Sequence, residues 1–271
     1  MQNESALPIV TDAEIERFIS DGVVMLPGLF TDWVAVLQQG IEANMASPSG
    51  DVRIYRNDDD TGLFFGDYCN WNRFPEYRDF IYHSPAGALA ARLTRSSSAR
   101  LFHEHVLVKE PGTTVRTPWH HDQPYYCVNG TQTCSLWLAL DPVPRNTCVE
   151  FVVGSHRWGT WFRPERFNKT ALNEDDGLSP VPDIENNREH YEIVNWNMAP
   201  GDVIAFNFLT LHGAPANKSV STRRRAFSSR WIGDDCTYAK RPGITSPPFP
   251  DLTLNHGAPM DDPRFPLVFE S

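Results

Sequence analysis

The sequence predicts a mainly β protein with flanking α-helices, in which an antiparallel sandwich or barrel follows an N-terminal helical region. Short runs of strand-forming residues dominate the chain after Ala99. Turn pairs such as Pro111-Gly112 and Pro200-Gly201 separate these runs. The 22 prolines among 271 residues disfavour a helical bundle, because proline removes a backbone donor and breaks helices.

The first helix is predicted from a capping box. The Thr11 hydroxyl and the Glu14 carboxylate can satisfy free N–H groups of a first helical turn. We expect this helix to run to about Ile19 and to end at Gly22, with an apolar strand over residues 23–26 directly after it.

Two further helices are predicted before the strands. Apolar residues at helical spacing predict one over residues 31–45. Another should begin at Ser84, with Pro85 in its first turn. The aromatic-rich stretch over residues 51–80 is predicted to be irregular.

The barrel is predicted from strand-like runs at residues 101–109, 132–140, 148–153, 191–196, 201–208 and 224–232. The polar stretch 157–190 is typical of a lid or binding loop, although its middle, 173–183, fits a disordered surface insertion equally well. We expect one domain over residues 1–271, with its barrel core at about 100–235.

Composition limits the classes of function. The net charge of −10 makes nucleic acid a poor partner, because an acidic surface repels phosphate backbones. Five cysteines without a C-x-x-C pair fit free thiols in a reducing compartment. We see no secretion signal and no apolar run of membrane-spanning length. These features predict a cytoplasmic protein without a membrane partner, and they do not predict an oligomeric state.

The first candidate metal ligands lie in the segment TPWHHD. If it is extended, His120 and Asp122 share one face and His121 points to the other. An imidazole nitrogen and a carboxylate oxygen are two thirds of the 2-His-1-carboxylate triad, which leaves iron positions open for other ligands. Because the chain has nine histidines, this pair alone arises easily by chance.

Two later features extend this interpretation. His212 follows an apolar strand and precedes Gly213, where the backbone can turn sharply. A buried histidine at a strand end is more often structural than ligating, so His212 alone indicates little. Three consecutive arginines, Arg223 to Arg225, follow His212 along the chain. Strand alternation turns either Arg224 alone or Arg223 with Arg225 towards the interior, where a guanidinium can bind a carboxylate bidentately.

Together these residues resemble the phytanoyl-CoA dioxygenase family of iron(II)/2-oxoglutarate-dependent oxygenases. The resemblance runs from roughly Leu101 to Trp231, and it lies in LVKEPGTT, TPWHHDQPYY, SLWLALDPV, FVVGSH, PGDVIAFN and LHGAPANKS with RRAFSSRW. It implies a double-stranded β-helix, that is, a cupin-like jelly-roll barrel with the N-terminal helices packed on one sheet.

The resemblance also implies roles for individual residues. His120, Asp122 and His212 would bind Fe(II), and an arginine would hold the distal carboxylate of 2-oxoglutarate. Counting forward from His212 indicates Arg223 as this clamp. Counting back from an aromatic position, here Trp231, indicates Arg224. We prefer Arg224, because loops absorb insertions more easily than strands.

Further positions are implied less directly. Trp137 would line the cosubstrate pocket, and Lys109, on a strand that enters the site, is a weaker candidate. His156 is interpreted as a structural hydrogen-bonding residue near the site. Ala214 stands where the family often has a small polar residue, so one contact to the cosubstrate is expected to be absent.

The implied function is a dioxygenase that uses Fe(II), 2-oxoglutarate and O2 to hydroxylate or otherwise oxidise a small molecule, with release of succinate and CO2. In related halogenases a small residue replaces the carboxylate ligand, so Asp122 favours hydroxylation over halogenation. Two alternatives stay open at this point. One is a metal-dependent jelly-roll enzyme that does not use 2-oxoglutarate, and the other is a binding protein with a decayed site.

Overall fold

Two antiparallel β-sheets carry most of the regular structure in the computed structural model, which describes residues 10–59, 61–166, 170–173 and 177–271. Within these ranges the α-helices are α1 (Asp12–Asp21), α2 (Val34–Ala46), α3 (Pro75–His83) and α4 (Ala86–Thr94). The strands are β1 (Val23–Leu26), β2 (Arg53–Tyr55), β3 (Phe64–Tyr68), β4 (Ser98–Lys109), β5 (Thr117–His120), β6 (Val128–Asn129), β7 (Thr133–Ala139), β8 (Glu150–Val152), β9 (Ile193–Val194), β10 (Val203–Phe206), β11 (His212–Ala214), β12 (Arg224–Ile232), β13 (Thr237–Tyr238) and β14 (Leu267–Glu270).

The strand order differs from the chain order, as in a jelly roll. The larger sheet has the order β1-β10-β7-β12-β4-β3-β2, and β14 also pairs with β4. The smaller sheet has the order β5-β11-β8-β9, while β13 and β6 form a separate pair. The predicted fold class, mainly β with a double-stranded β-helix, is confirmed.

The helices pack on the outer face of the larger sheet. Apolar side chains from all four helices form one buried cluster with residues of β4, β7 and β12. The rings of Tyr77 and Phe80 on α3 lie 4.9 and 5.3 Å from that of Phe227 on β12. Outward-facing Phe227 alternates with inward-facing neighbours, so β12 separates this helical layer from the barrel interior.

The first helix follows its predicted capping. The Thr11 side chain accepts a hydrogen bond from the Glu14 backbone N–H, and the Glu14 carboxylate accepts one from the Thr11 backbone N–H. The helix ends where Gly22 adopts a left-handed conformation with φ of 77°. The second predicted helix begins with a short 3-10 turn at Thr31–Trp33, before α2.

The prediction of irregular structure over residues 51–80 is wrong. This stretch contains β2, β3 and the first part of α3. All five residues of β3 are buried, so the polar and apolar alternation that signals a half-buried strand is absent. The next predicted helix also begins later than expected, at Ala86, with Pro85 as its N-cap.

Described residues of the predicted insert, 157–190, pack back onto the barrel. Phe162 and Ile184 are buried in a cluster with Val152 and Leu211. The stretch 173–183, where a disordered insertion was considered, includes residues 174–176, and these lie outside the described residues, as do 167–169.

The helices and the cysteines bear on two further predictions. Among the described residues, none of the helices combines the length and the apolar character needed to cross a bilayer. All five cysteines are free thiols, as predicted.

Candidate active site

A cavity opens between the two sheets and contains the predicted metal ligands. Including its open mouth, it encloses about 1180 Å³ of empty space. Strands of both sheets line it, and residues of the insert and of the C-terminal segment contribute at its edge. His120, Asp122, His212 and Arg224 all lie on this lining.

Strand pairing brings the two candidate histidine ligands together. His120 on β5 and His212 on β11 are direct cross-strand partners in the smaller sheet. The Nε2 atoms of His120 and His212 lie 3.6 and 3.8 Å from Oδ1 of Asp122. The three candidate ligand atoms lie within 4.8 Å of one another, so this group could hold a metal ion.

The other ring nitrogen of each histidine is held by the backbone. His120 Nδ1 lies 2.8 Å from the Pro118 carbonyl oxygen, and His212 Nδ1 lies 2.9 Å from that of Thr210. A carbonyl oxygen only accepts, so Nδ1 is the protonated donor and Nε2 keeps a free lone pair. Burial, together with the neighbouring His120, lowers the pKa of His212 to about 3, so this imidazole is neutral at ordinary pH.

The second oxygen of Asp122 faces away from the histidines. Its Oδ2 accepts a hydrogen bond from Ser135 Oγ at 3.3 Å and lies 3.5 Å from Nε of Arg230. The same Arg230 Nε donates to the Tyr126 hydroxyl at 2.6 Å. Burial by itself raises the pKa of Asp122, but Arg230 and the histidines outweigh it and hold the pKa well below its usual range. Asp122 is therefore an anion with one oxygen, Oδ1, turned towards the imidazoles.

The structure places His120, and not His121, on the cavity lining, whereas the assumption of an extended strand through Asp122 is wrong. β5 ends at His120, and Asp122 has helical backbone angles at the start of a 3-10 turn. His121 points away from the cavity, where its Nε2 accepts a hydrogen bond from the Phe162 backbone N–H at 2.8 Å.

The three consecutive arginines have different surroundings. Arg224 is buried and lines the cavity, where its guanidinium donates to the Thr147 carbonyl oxygen. Arg223 pairs with Glu110 and Glu42, and Arg225 pairs with Asp141 and Glu42, all outside the cavity lining. Within the described residues Arg224 has no carboxylate partner, and burial lowers its pKa to about 10, which still leaves it charged.

Of the residues for which the sequence implies a role less directly, some line the cavity and others lie outside its described lining. Trp137 and Ala214 line the cavity, whereas Lys109 and His156 are not part of the described lining. The Lys109 ammonium donates to the carbonyl oxygens of Val115 and Pro215, and it sits 4.7 Å from the Phe64 ring centre. His156 Nε2 lies 3.1 Å from the Ile19 carbonyl oxygen, at the end of α1, so its contact is structural.

The contact made by Arg230 was not predicted from the sequence. This arginine is buried against Asp122 and Tyr126. Alternation along β12 was the available signal, because Arg230 shares the inward face with Arg224. The partner could not be read from the sequence, since Asp122 lies on a distant segment.

The donor set fits a divalent iron ion. Two imidazole nitrogens and one carboxylate oxygen are the ligands of the facial triad, which leaves further positions open. His120 and Asp122 come from one segment and His212 from another, so the sheet pairing fixes their mutual position. Arg224, buried in the same cavity without a carboxylate partner among the described residues, suits a dicarboxylate ligand.

A family comparison agrees with this geometry. The family model described as phytanoyl-CoA dioxygenase (PhyH) matches residues 18–226 of this chain, well over half of its length. The chain belongs to the phytanoyl-CoA dioxygenase family. Enzymes of this family use Fe(II), 2-oxoglutarate and O2, which agrees with the cofactors predicted from the sequence.

Two curated relatives of this family member are similar at low identity. A probable phytanoyl-CoA dioxygenase of Caenorhabditis elegans is 25% identical over 193 residues, 69% of this chain and 56% of that protein. The chain thus spans little more than half the length of that relative. The dioxygenase lolE1 of Epichloe uncinata is 26% identical over 238 residues, 82% of this chain and 83% of that protein.

Solved structures of similar fold cover nearly the whole chain. The carbocyclase SnoK from nogalamycin biosynthesis matches 96% of this chain and 97% of its own, with a TM-score of 0.74 and 24% identity. The epimerase SnoN, solved with Fe3+, alpha ketoglutarate and nogalamycin RO, matches 94% and 97%, with a TM-score of 0.73 and 24% identity. EctD from S. alaskensis, solved with 2-oxoglutarate and 5-hydroxyectoine, matches 94% and 86%, with a TM-score of 0.70 and 20% identity. At these identities the likeness shows the fold.

Proposed function

We propose that this member of the phytanoyl-CoA dioxygenase family hydroxylates an unactivated C–H bond of a small molecule and converts 2-oxoglutarate to succinate and CO2. One observation carries the proposal. A His-Asp-His group within 4.8 Å shares a cavity with Arg224, a buried guanidinium that has no carboxylate partner among the described residues.

The roles proposed for the residues follow from their contacts. His120 and His212 would offer Nε2 to the iron, since Nδ1 of each donates to a carbonyl oxygen. Asp122 would offer Oδ1, since Oδ2 faces Ser135 and Arg230. Arg224 would hold the C5 carboxylate of 2-oxoglutarate. When bound, the iron would supply the oxidative decarboxylation of 2-oxoglutarate and the oxidant for the C–H bond.

The surrounding side chains would keep this chemistry away from water. Trp137, Val149 and Phe206 line the cavity with apolar surface around the candidate ligands. Exclusion of water strengthens the pairing of Arg224 with a carboxylate and protects a reactive intermediate from side reactions. The insert contributes Arg163 and Glu165 to the lining, which supports a role for residues 157–190 as part of the mouth within a single domain over residues 1–271.

Hydroxylation is the proposed outcome because of Asp122. A carboxylate held by Ser135 and Arg230 occupies the position that a halide would need, so halogenation is disfavoured. Similar folds include an epimerase and a carbocyclase, and product analysis therefore decides between hydroxylation and other oxidations.

The proposal is tested by screening small molecules for stimulation of succinate release from 2-oxoglutarate in the presence of Fe(II) and O2. We expect at least one compound to stimulate release and to gain one oxygen atom by mass spectrometry. Asp122→Ala should abolish the stimulated release. If succinate release does not depend on Fe(II) or on Asp122, the proposed function is wrong.

A further inference from the structure

One wall of the cavity carries polar groups that the proposed metal and cosubstrate sites do not use. Register across β12, β4 and β3 places Ser228 beside His105 and His105 beside Tyr68, while His103 lies beside Arg230 one row further along. Tyr68, His103, His105 and Ser228 all line the cavity, and we call them the histidine wall.

Two atoms of the histidine wall have no hydrogen-bond partner in the described part of the chain. They are His103 Nε2 and Ser228 Oγ, on residues that are 2% and 0% exposed. Because His103 Nδ1 lies 3.2 Å from the Glu104 carbonyl oxygen, it is the donor, and Nε2 is left as an acceptor. A buried polar atom without a partner is costly unless a ligand or water satisfies it. These atoms suit a ligand hydroxyl, or for Ser228 also a carbonyl.

The histidine wall carries no charge at ordinary pH. Burial, with a smaller contribution from Arg230, lowers the pKa of His103 well below its usual value and that of His105 to about 3. Both imidazoles are therefore neutral, and the Tyr68 hydroxyl stays protonated because burial raises its pKa. A charged ligand group would lose its hydration here without gaining a counter-charge.

The charged groups of the cavity are already matched. Arg230 lies 3.5 Å from Asp122. Arg163 Nη2 lies 3.4 Å from Glu165 Oε1, so its charge is balanced although its buried Nε has no described partner. Arg224 is assigned to the cosubstrate by the proposed function. Among the described lining residues no further cation remains for a substrate carboxylate or phosphate.

Arg224 and Ser228 both lie on the inner face of β12, whereas Tyr68, His103 and His105 lie on the strands to one side of it. The Arg224 guanidinium donates to the Thr147 carbonyl oxygen, just before Val149, which packs with Trp137 of β7. In the larger sheet β7 borders β12 on one side, and β4 and then β3 lie on the other. A dicarboxylate held by Arg224 on the β7 side would leave Tyr68, His103 and His105, on the β4 and β3 side, to the substrate.

Aromatic surface completes the cavity. Six rings besides Tyr68 lie on its described lining, namely Phe64, Trp119, Tyr125, Tyr126, Trp137 and Phe206. Flat apolar walls with a few fixed polar atoms suit a ring compound that carries one or two oriented oxygen groups. Resting on the proposed function, we infer that the substrate is an uncharged ring compound bearing hydroxyl or carbonyl groups, which His103 and Ser228 recognise through hydrogen bonds.

The inference is tested by calorimetry on the full chain loaded with Zn(II) and 2-oxoglutarate, a complex that does not turn over. The probes share one ring system and differ in charge: neutral 2-naphthol and anionic 2-naphthoate, with coenzyme A as a phosphate-bearing ligand. We expect 2-naphthol to bind at least about tenfold more tightly than 2-naphthoate, because the carboxylate would be buried without a cation. Coenzyme A should show no binding in the cavity.

Variants locate the contact. Ser228→Ala and His103→Phe should each weaken 2-naphthol binding about three- to tenfold, as expected for one lost hydrogen bond, without changing 2-oxoglutarate affinity. His103→Gln keeps a side-chain acceptor and should retain most of the binding. The matched control is Ser229→Ala on the opposite face of β12, where Oγ accepts a hydrogen bond from Trp231 Nε1 at 2.9 Å. It should lower stability and leave probe binding unchanged.

Several results would overturn the inference. One is binding of 2-naphthoate or coenzyme A that equals or exceeds that of 2-naphthol, and another is no binding of 2-naphthol. The inference is also wrong if wild type, Ser228→Ala and His103→Phe bind 2-naphthol with equal affinity. A loss of 2-oxoglutarate affinity in Ser228→Ala or in His103→Phe would contradict it as well. If wild type does not bind 2-oxoglutarate in the presence of Zn(II), the proposed function fails first, and that result is distinct from all the others.

Discussion

Each candidate ligand residue makes two kinds of contact through two different atoms. One atom of His120, Asp122 and His212 faces the common centre, and another is fixed by a carbonyl oxygen or by a buried polar side chain. Such outer contacts orient metal ligands and set their basicity. Arg230 is the least expected of these contacts, because it brings a buried positive charge to the carboxylate that would bind the metal.

Removal of Arg230 should weaken metal binding. In Arg230→Met, Asp122 loses its charged partner, so the carboxylate is less well oriented and its anionic form is less favoured. We expect Zn(II) affinity to fall by about 10- to 100-fold, measured by competition with a chelating dye. Circular dichroism checks that the variant is folded.

The control for this variant lies on the same strand. Arg225 lies on the opposite face of β12, where its guanidinium pairs with Asp141, and Arg225→Met removes this pair. It should leave Zn(II) affinity unchanged. Equal affinity for wild type and Arg230→Met would show that Arg230 does not position Asp122.

At the scale of elements, the turn between α1 and β1 is connected to the candidate site. The Gly22 carbonyl oxygen accepts a hydrogen bond from Thr210 Oγ at 2.8 Å, and the Thr210 carbonyl oxygen faces His212 Nδ1. A Cβ on Gly22 would lie 2.3 Å from His156 Nδ1 and 2.5 Å from Thr210 Oγ1. The loop that carries His212 therefore depends on the absence of a side chain here.

Gly22→Ala should destabilise the protein by about 2–4 kcal/mol, because it combines a positive φ with steric overlap. Gly28→Ala is the matched control. Gly28 also has a positive φ, but its added Cβ would meet only Thr31 Oγ1, at 3.7 Å, so a loss of about 1 kcal/mol is expected. Urea unfolding measures both values, and equal losses would contradict the steric argument.

Glu104 on β4 should make stability depend on pH. It is fully buried beneath the helices, and burial raises its pKa to about 8 from an ordinary value of 4.5. Its carboxyl group is thus protonated in the folded state and ionised in the unfolded state between these values. The protonated carboxyl group therefore contributes fully to the free energy of unfolding below about pH 4.5. This contribution is lost as the pH rises to about 8, by at most about 1.4 kcal/mol per pH unit.

The comparison with Glu104→Gln isolates this effect. The side-chain amide of this variant does not titrate. The free energy of unfolding of Glu104→Gln should therefore not show the decline with rising pH that we assign to the Glu104 carboxyl group. Urea unfolding at pH 5, 6.5 and 8 should therefore give a wild-type stability that falls relative to the variant. Parallel pH profiles would show that Glu104 is ionised in the folded protein.

Some of these helices and strands can be predicted from the sequence, and others cannot. The capping box predicts α1 because its signals are local, and the long strands β4, β7 and β12 are found from their composition. β3 was missed because both of its faces are buried, which removes the alternation. Pairing between β5 and β11 could not be derived from either segment, because register depends on the whole sheet.

For the whole molecule, the jelly roll joins candidate metal ligands that are far apart in the chain. β5 delivers His120 and the turn with Asp122, β11 delivers His212 opposite them, and β12 carries both Arg224 and Arg230 into the same interior. The motifs were sufficient to predict the family and its cofactors. They did not indicate the histidine wall, because its side chains meet only through the order of β12, β4 and β3.

We propose that this interior binds a metal and 2-oxoglutarate together, with Arg224 as the carboxylate clamp. The most direct test is calorimetric titration of 2-oxoglutarate into Zn(II)-loaded wild type, Arg224→Ala and Arg223→Ala. We predict metal-dependent binding in wild type, little change in Arg223→Ala, and a loss of at least about 100-fold in Arg224→Ala, as expected when a buried charge pair is broken. Equal affinity in wild type and Arg224→Ala, or no dependence on the metal, would contradict the claim.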